Sequence, residues 1–215
     1  MTDKEILSHI DYTLLKSTAT WEDIKKLCDG AIKYETASVC VPPSYVSRIK
    51  KEYGERLNIC TVIGFPLGYS VTESKVTEAE TAVKEGASEI DMVININSVK
   101  NGDFDAVTEE IKAVKEACSG RILKVIIETC FLTGEEKIKL CHCVTEGGAD
   151  YIKTSTGFGT AGATFEDVKL FAENIGEGVK IKAAGGVRER GAMEEYLKLG
   201  ADRIGASNID PLIGK

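Results

Sequence analysis

Tyr151-Ile152-Lys153-Thr154-Ser155-Thr156-Gly157-Phe158-Gly159 begins as a short strand and ends in a glycine-punctuated turn. Its β-branched and aromatic residues favour the extended chain. Alternation of period two puts Tyr151, Lys153 and Ser155 on one face, with Ile152 and Thr154 on the other. A charged lysine sits badly among such neighbours. Two structural readings compete for it: an edge-strand lysine that blocks aggregation, and a surface lysine whose stem snorkels along apolar neighbours. The flanking chain decides whether a functional reading displaces them.

Moving outward, the same strand–turn–helix unit recurs. Strands are expected at 10–15, 36–41, 58–63, 89–94 and 122–128 before the stretch, and at 179–184 and 203–207 after it. Helices are expected at 2–8, from Trp21 to about Tyr34 behind a Thr20 cap, at 44–53, at 72–85 closed by Gly86, and at 103–117, 135–146, 165–174 and 190–199. Pro42-Pro43 stops the second strand. The residues after Ser207 suffice only for a short helix and tail.

Eight strands alternating with helices imply right-handed parallel βα units, and eight such units suggest a (β/α)8 TIM barrel with a short N-terminal helix. An open doubly wound sheet is the alternative. It usually carries an early Gly-x-Gly-x-x-Gly turn, and the first strand here has none. No linker or low-complexity segment interrupts the chain, so residues 1–215 read as a single catalytic domain.

The chain is 43% hydrophobic and 28% charged, the balance of an ordinary soluble globular protein. Its net charge of −7 argues against nucleic acid as a partner. No apolar run reaches transmembrane length, and Met1-Thr2-Asp3-Lys4-Glu5 lacks a signal-peptide core. A cytoplasmic protein without a membrane partner is expected. Seven cysteines, an odd number spread through apolar segments, fit reduced and buried thiols. Cys141-His142-Cys143 invites a metal. However, it lies in a helical pattern, no second cluster completes four ligands, and His9 is the only other histidine, so no metal is expected.

In a barrel the active site forms at the C-terminal ends of the strands. With Lys153 tied to the interior, alternation brings Asp91 of the fourth strand, Lys124 of the fifth and Lys182 of the seventh inside with it. Lys124 and Asp91 fall on adjacent strands and are expected to pair. Interior charges are costly unless paired, and groups kept there against that cost are candidates for function. Paired strands are about 4.8 Å apart, so Lys153 and Lys182 are expected as near neighbours.

An amine nucleophile needs its neutral form. Bringing a lysine from about 10.4 to about 7 requires roughly 4.6 kcal/mol. A like charge about 4 Å away supplies roughly 4 kcal/mol at an effective dielectric of 20. Schiff-base chemistry at Lys153, with Lys182 as the activating charge and Asp91 moving protons, is therefore plausible. The glycine turns Gly185-Gly186 with Arg188, and Gly205 with Ser207, follow strands seven and eight, where barrels commonly hold phosphate; Gly157 can add a donor.

These segments together resemble the deoxyribose-phosphate aldolase family, class I aldolases. The resemblance is carried by Ile10-Asp11-Tyr12-Thr13-Leu14-Leu15, Val39-Cys40-Val41-Pro42, Thr61-Val62-Ile63-Gly64-Phe65-Pro66, Glu89-Ile90-Asp91-Met92-Val93, Lys124-Val125-Ile126-Ile127-Glu128-Thr129, Ile152-Lys153-Thr154-Ser155-Thr156-Gly157, Lys182-Ala183-Ala184-Gly185-Gly186-Val187-Arg188 and Gly205-Ala206-Ser207. It covers essentially the whole chain. It implies Lys153 as the Schiff-base lysine, Asp91 and Lys182 as proton donors or acceptors, and substrate contacts from Asp11, Cys40, Gly157, Gly186, Arg188 and Ser207. Lys124, Gly185 and Gly205 are grouped with the binding residues. It implies a sugar phosphate as substrate and no cofactor, and a homodimer is common in the family. Tyr12 departs from the histidine of many relatives, and Phe158 from the lysine some carry near the phosphate. Two other readings compete: a phosphate-binding barrel isomerase or epimerase with a carboxylate base, and a non-enzymatic sugar-phosphate sensor.

Overall fold

The computed structural model describes residues 1–214. Among them eight parallel strands close into a ring. β1 (Ile10–Thr13) completes it by pairing with both β2 (Ser38–Val41) and β8 (Arg203–Ala206). β3 (Ile59–Ile63), β4 (Glu89–Val93), β5 (Ile122–Ile126), β6 (Tyr151–Lys153) and β7 (Lys180–Ala184) lie between them in chain order. The closing β1–β8 pair removes the open-sheet alternative. It also leaves β6 without a free edge, which removes the edge-strand reading of Lys153.

Around the ring run α2 (Trp21–Tyr34), α3 (Val46–Tyr53), α4 (Thr72–Glu85), α6 (Phe104–Ala117), α7 (Gly134–Glu146), α8 (Phe165–Asn174) and α9 (Arg190–Lys198). Shorter helices are α1 (Asp3–Leu7), α5 (Ile96–Lys100) and α10 (Asp210–Ile213). The helix starts follow local chemistry. The Thr20 hydroxyl accepts from the Asp23 amide while the Asp23 carboxylate accepts from the Thr20 amide. Thr133 and Glu136 repeat this exchange at α7. Each such cap contributes about 1 kcal/mol. α4 ends as expected at Gly86, whose left-handed φ of 109° costs an L-residue more than glycine.

Both faces of the strands are buried, for different reasons. Ile90, Met92, Val125, Ile152, Ile181 and Ala183 face outward into one apolar layer shared with the helices. The inward positions carry the charged residues, as the alternation predicts. Lys124, Lys153 and Lys182 are all buried.

Some boundaries differ from the sequence reading. β1 stops at Thr13; the Leu14 amide still donates to the Cys40 carbonyl at 2.9 Å, and Leu14 and Leu15 line the barrel mouth. β2 begins only at Ser38. β5 stops at Ile126, and Glu128 turns left-handed (φ 55°) instead of continuing the strand. Leu14 and Leu15 stay apolar past the end of β1 because they line the mouth, whereas Thr36 and Ala37 precede β2 at the opposite end of the ring. α5 was not expected; five residues are too few to show a helical period. Lys75 of α4 is fully buried, donating to Glu110 Oε1 at 2.7 Å and to the Val93 carbonyl at 2.8 Å. A charge-rich helix pattern does not reveal that one of its lysines turns inward.

Candidate active site

A cavity of about 230 Å³ opens where the strands end at their C-terminal side. Lys153, Gly157, Gly185, Gly186, Arg188, Gly205 and Ser207, all expected at the site, line it. The loop after β6 is laced to the loop after β7. The Ala163 amide donates to the carbonyls of Ala184 and Gly185, both at 3.1 Å. A Cβ on Gly162 would stand 2.0 Å from the Gly185 carbonyl oxygen, so only glycine allows this approach. Phe158 forms part of the wall and meets Phe65 edge-on, ring centroids 5.4 Å apart.

Beneath the floor lies a continuous charge network. Asp91 is its hub. Its Oδ2 accepts from Lys153 at 2.6 Å and from Lys182 at 2.7 Å, and its Oδ1 accepts from Lys124 at 2.8 Å. Lys182 also pairs with Asp11 at 2.5 Å. Lys124 also pairs with Glu89 at 2.6 Å and, more loosely, with Asp11 at 3.5 Å. Arg203 closes the lower end on Asp11 at 2.5 Å and Glu89 at 3.1 Å. The strand register makes this possible: Asp91 is level with Lys124, and Lys153 with Lys182.

Burial alone would raise the Asp91 and Asp11 carboxyls, but the cations around them outweigh it. Asp91 is held well below the usual carboxylate range by Lys124, Lys153 and Lys182, and Asp11 is held low mainly by Lys182 and Lys124. Burial opposes the charge on Lys182 and Lys124 as well. Their carboxylate partners win, and both ammonium groups are held above the ordinary lysine range.

This geometry changes the expected role of Lys182. The two ammonium groups do not face each other bare; one oxygen of Asp91 accepts from both. The pressure on the site is collective. Four cations (Lys124, Lys153, Lys182 and Arg203) share three carboxylates (Asp11, Glu89 and Asp91). The network holds one more basic group than it has carboxylates. Lys153 makes one carboxylate contact, where Lys182 makes two and Lys124 three.

Three expected substrate contacts lie elsewhere. Asp11, Cys40 and Lys124 are fully buried and do not line the cavity. Asp11 comes two residues before the lining Thr13. Lys124 is level with Tyr151, one inward layer below Lys153. Cys40 sits in a small cluster with Cys60 and Val62, against which Leu15 and Phe65 pack. Alternation assigns a face but not a depth.

The sequence reading missed Glu89, Arg203 and Cys60. Period two from Asp91 already puts Glu89 inside, and the same rule from Ser207 puts Arg203 there. The Cys60 thiol contacts Asp91 Oδ1 at 3.1 Å and the Lys124 amine at 3.2 Å. Burial, together with Cys40 and Asp91, pushes that thiol well up. A lone cysteine in an apolar strand gives no sign in sequence of such polar partners.

Removing the hub carboxylate should be costly, because it leaves three ammonium groups crowded in the interior. Asp91→Asn is expected to lower the unfolding free energy by about 3–5 kcal/mol. Urea denaturation against the unsubstituted protein measures this. A loss below about 1 kcal/mol would mean the network does not depend on its hub.

The sequence profile of the DeoC/LacD family aldolases matches residues 6–209. A deoxyribose-phosphate aldolase from Clostridium botulinum (strain Alaska E43 / Type E3) is 61% identical over 213 residues, spanning 99% of this chain and 96% of that protein. One from Streptococcus pyogenes serotype M4 is 58% identical, spanning 98% and 94%. Among solved structures, a tetrameric deoxyribose phosphate aldolase from Aeropyrum pernix superposes with a TM-score of 0.91 at 33% identity, covering 99% of this chain and 91% of that one.

Proposed function

The chain belongs to the DeoC/LacD family of aldolases, and on that footing we propose that it reversibly cleaves 2-deoxy-D-ribose 5-phosphate to D-glyceraldehyde 3-phosphate and acetaldehyde through a Schiff base on Lys153. One observation carries the assignment. Of the three interior lysines, only Lys153 reaches the cavity wall, while its amine remains in contact with Asp91.

Neutral Lys153 Nζ attacks the C1 aldehyde of the open-chain sugar. The carbinolamine loses water, its hydroxyl protonated from the Lys182–Asp91 pair, and becomes a protonated imine. Removal of the C3 hydroxyl proton breaks the C2–C3 bond, and the electron pair flows into the imine. Glyceraldehyde 3-phosphate leaves as the enamine forms. The enamine takes a proton at C2, and water then releases acetaldehyde from Lys153. Every proton consumed in one half of the cycle is returned in the other, so no redox partner is needed.

The phosphate is assigned to the glycine turns at Gly157, Gly185-Gly186 and Gly205 with Ser207, and to Arg188. Arg188→Ala is expected to raise KM for the sugar phosphate roughly tenfold, with a smaller change in kcat, in line with loss of a charge-assisted contact. An unchanged KM would place the phosphate elsewhere.

Turnover is tested by supplying 2-deoxyribose 5-phosphate and following glyceraldehyde 3-phosphate with a coupled dehydrogenase. Binding without product would favour a sensor. Product isomerised without carbon–carbon cleavage would favour an isomerase.

The setting proposed is the cytoplasm: all seven cysteines are unpaired, which suits a reducing compartment. No described helix is long and apolar enough to cross a membrane. A homodimer is proposed from the family likeness, and sedimentation measures it.

A further inference from the structure

Glu128 takes no part in the charge network, yet its placement is unusual. It follows β5 in the left-handed region (φ 55°, ψ 67°), a conformation that residues other than glycine adopt rarely and at a cost. Glu128 is only 2% exposed. No lysine or arginine pairs with it among the described residues. A carboxylate buried without a cation is expensive, so its hydrogen bonds must matter.

All of those bonds go to one residue of the cavity wall. The Thr156 amide donates to Glu128 Oε1 at 3.2 Å, and the Thr156 hydroxyl donates to Oε2. The Thr156 hydroxyl oxygen in turn accepts from the Phe158 amide at 3.0 Å. Gly159 then packs so close that a Cβ there would lie 3.2 Å from the Glu128 carboxyl carbon and 2.8 Å from Cys130 Sγ. Glu128 therefore fixes both ends of a loop whose middle, Gly157, lines the cavity.

We propose that Glu128 is a positioning residue for the phosphate end of the substrate, acting through Thr156 to hold the Gly157 backbone in place. It touches neither Lys153 nor any reacting atom. This inference rests on the reading of the cavity as a sugar-phosphate site.

The test compares 2-deoxyribose 5-phosphate with unphosphorylated 2-deoxyribose. Glu128→Ala raises KM for the phosphorylated sugar at least tenfold. It leaves kcat/KM for the unphosphorylated sugar within a factor of two, and borohydride trapping with acetaldehyde unchanged. Glu128→Gln, which keeps one acceptor oxygen, shows a smaller rise. Thr156→Val raises the same KM by a similar factor, and the double variant is no worse than either single one, because the two residues act as a unit.

Equal losses on both sugars would overturn the proposal, and so would an unchanged KM. If Glu128→Ala does not fold, Thr156→Val and Glu128→Gln decide by the same criteria. A wild-type protein that turns over neither sugar defeats the assigned reaction but not this proposal. Binding of inorganic phosphate then decides it: weaker binding in Glu128→Ala supports it, and equal binding overturns it.

Discussion

Lys153→Ala is expected to lose turnover by a factor on the order of 10⁴ or more, and to lose every covalent adduct with aldehydes. The size follows from the role: without the amine there is no imine, and nothing else in the cavity offers an electron sink. Lys16 and Arg188 also line the cavity. Neither is part of the buried network, and an arginine stays charged and cannot substitute. The fold should survive. Asp91 keeps Lys124 and Lys182 as partners, and the interior then holds three cations against three carboxylates. Thermal unfolding within a few degrees of the parent, alongside lost activity, would separate a chemical effect from a structural one. Residual activity near that of the parent would exclude Lys153 as the nucleophile.

Lys182→Leu carries the second large effect, on both rate and pH dependence. The rate is expected to fall by roughly 10²–10³, the usual range for losing a positioned proton donor. The direction of the pH shift follows from the charge count. Removing Lys182 leaves Asp91 and Asp11 with one cation fewer. The two carboxylates are then less fully compensated by neighbouring cations, which favours positive charge at the site. The alkaline climb of the rate profile therefore moves to higher pH. A unit charge at about 5 Å and an effective dielectric of 20 is worth about 3 kcal/mol. Repacking and water entry reduce this, so a displacement of about one to two pH units is expected. Glu89→Gln should displace the profile the opposite way, since it removes a negative charge from the same network. A profile unmoved in both variants would sink the collective-charge account, even if both lose rate.

Much of this could be read before the structure. Strict strand–helix alternation gave the barrel, because parallel neighbours need a crossover and helices supply it. Period two placed Asp91, Lys124, Lys153 and Lys182 inside, because an inward parity is shared along each strand. Depth could not be read the same way. Whether Lys124 lines a cavity or lies beneath it depends on the register between β5 and β6, which no single strand encodes. The exact partners of Asp91 were likewise unreadable, because they come from strands far apart in sequence. Glu89 and Arg203 obey the same parity rule, two residues before Asp91 and four before Ser207. Glu128 is a different case. Its sequence continues a strand pattern, and only the left-handed turn shows that it leaves the ladder to hold Thr156.

The central claim is that a single interior amine, Lys153, becomes covalently attached to the aldehyde. It is tested most directly by incubating the protein with acetaldehyde and borohydride and mapping the modified peptide by mass spectrometry. The account predicts one added ethyl group per chain, located on Lys153 and absent from Lys153→Ala. An ethyl group on Lys182 or Lys16 instead, or no stable adduct from a protein that still cleaves the sugar phosphate, would contradict it.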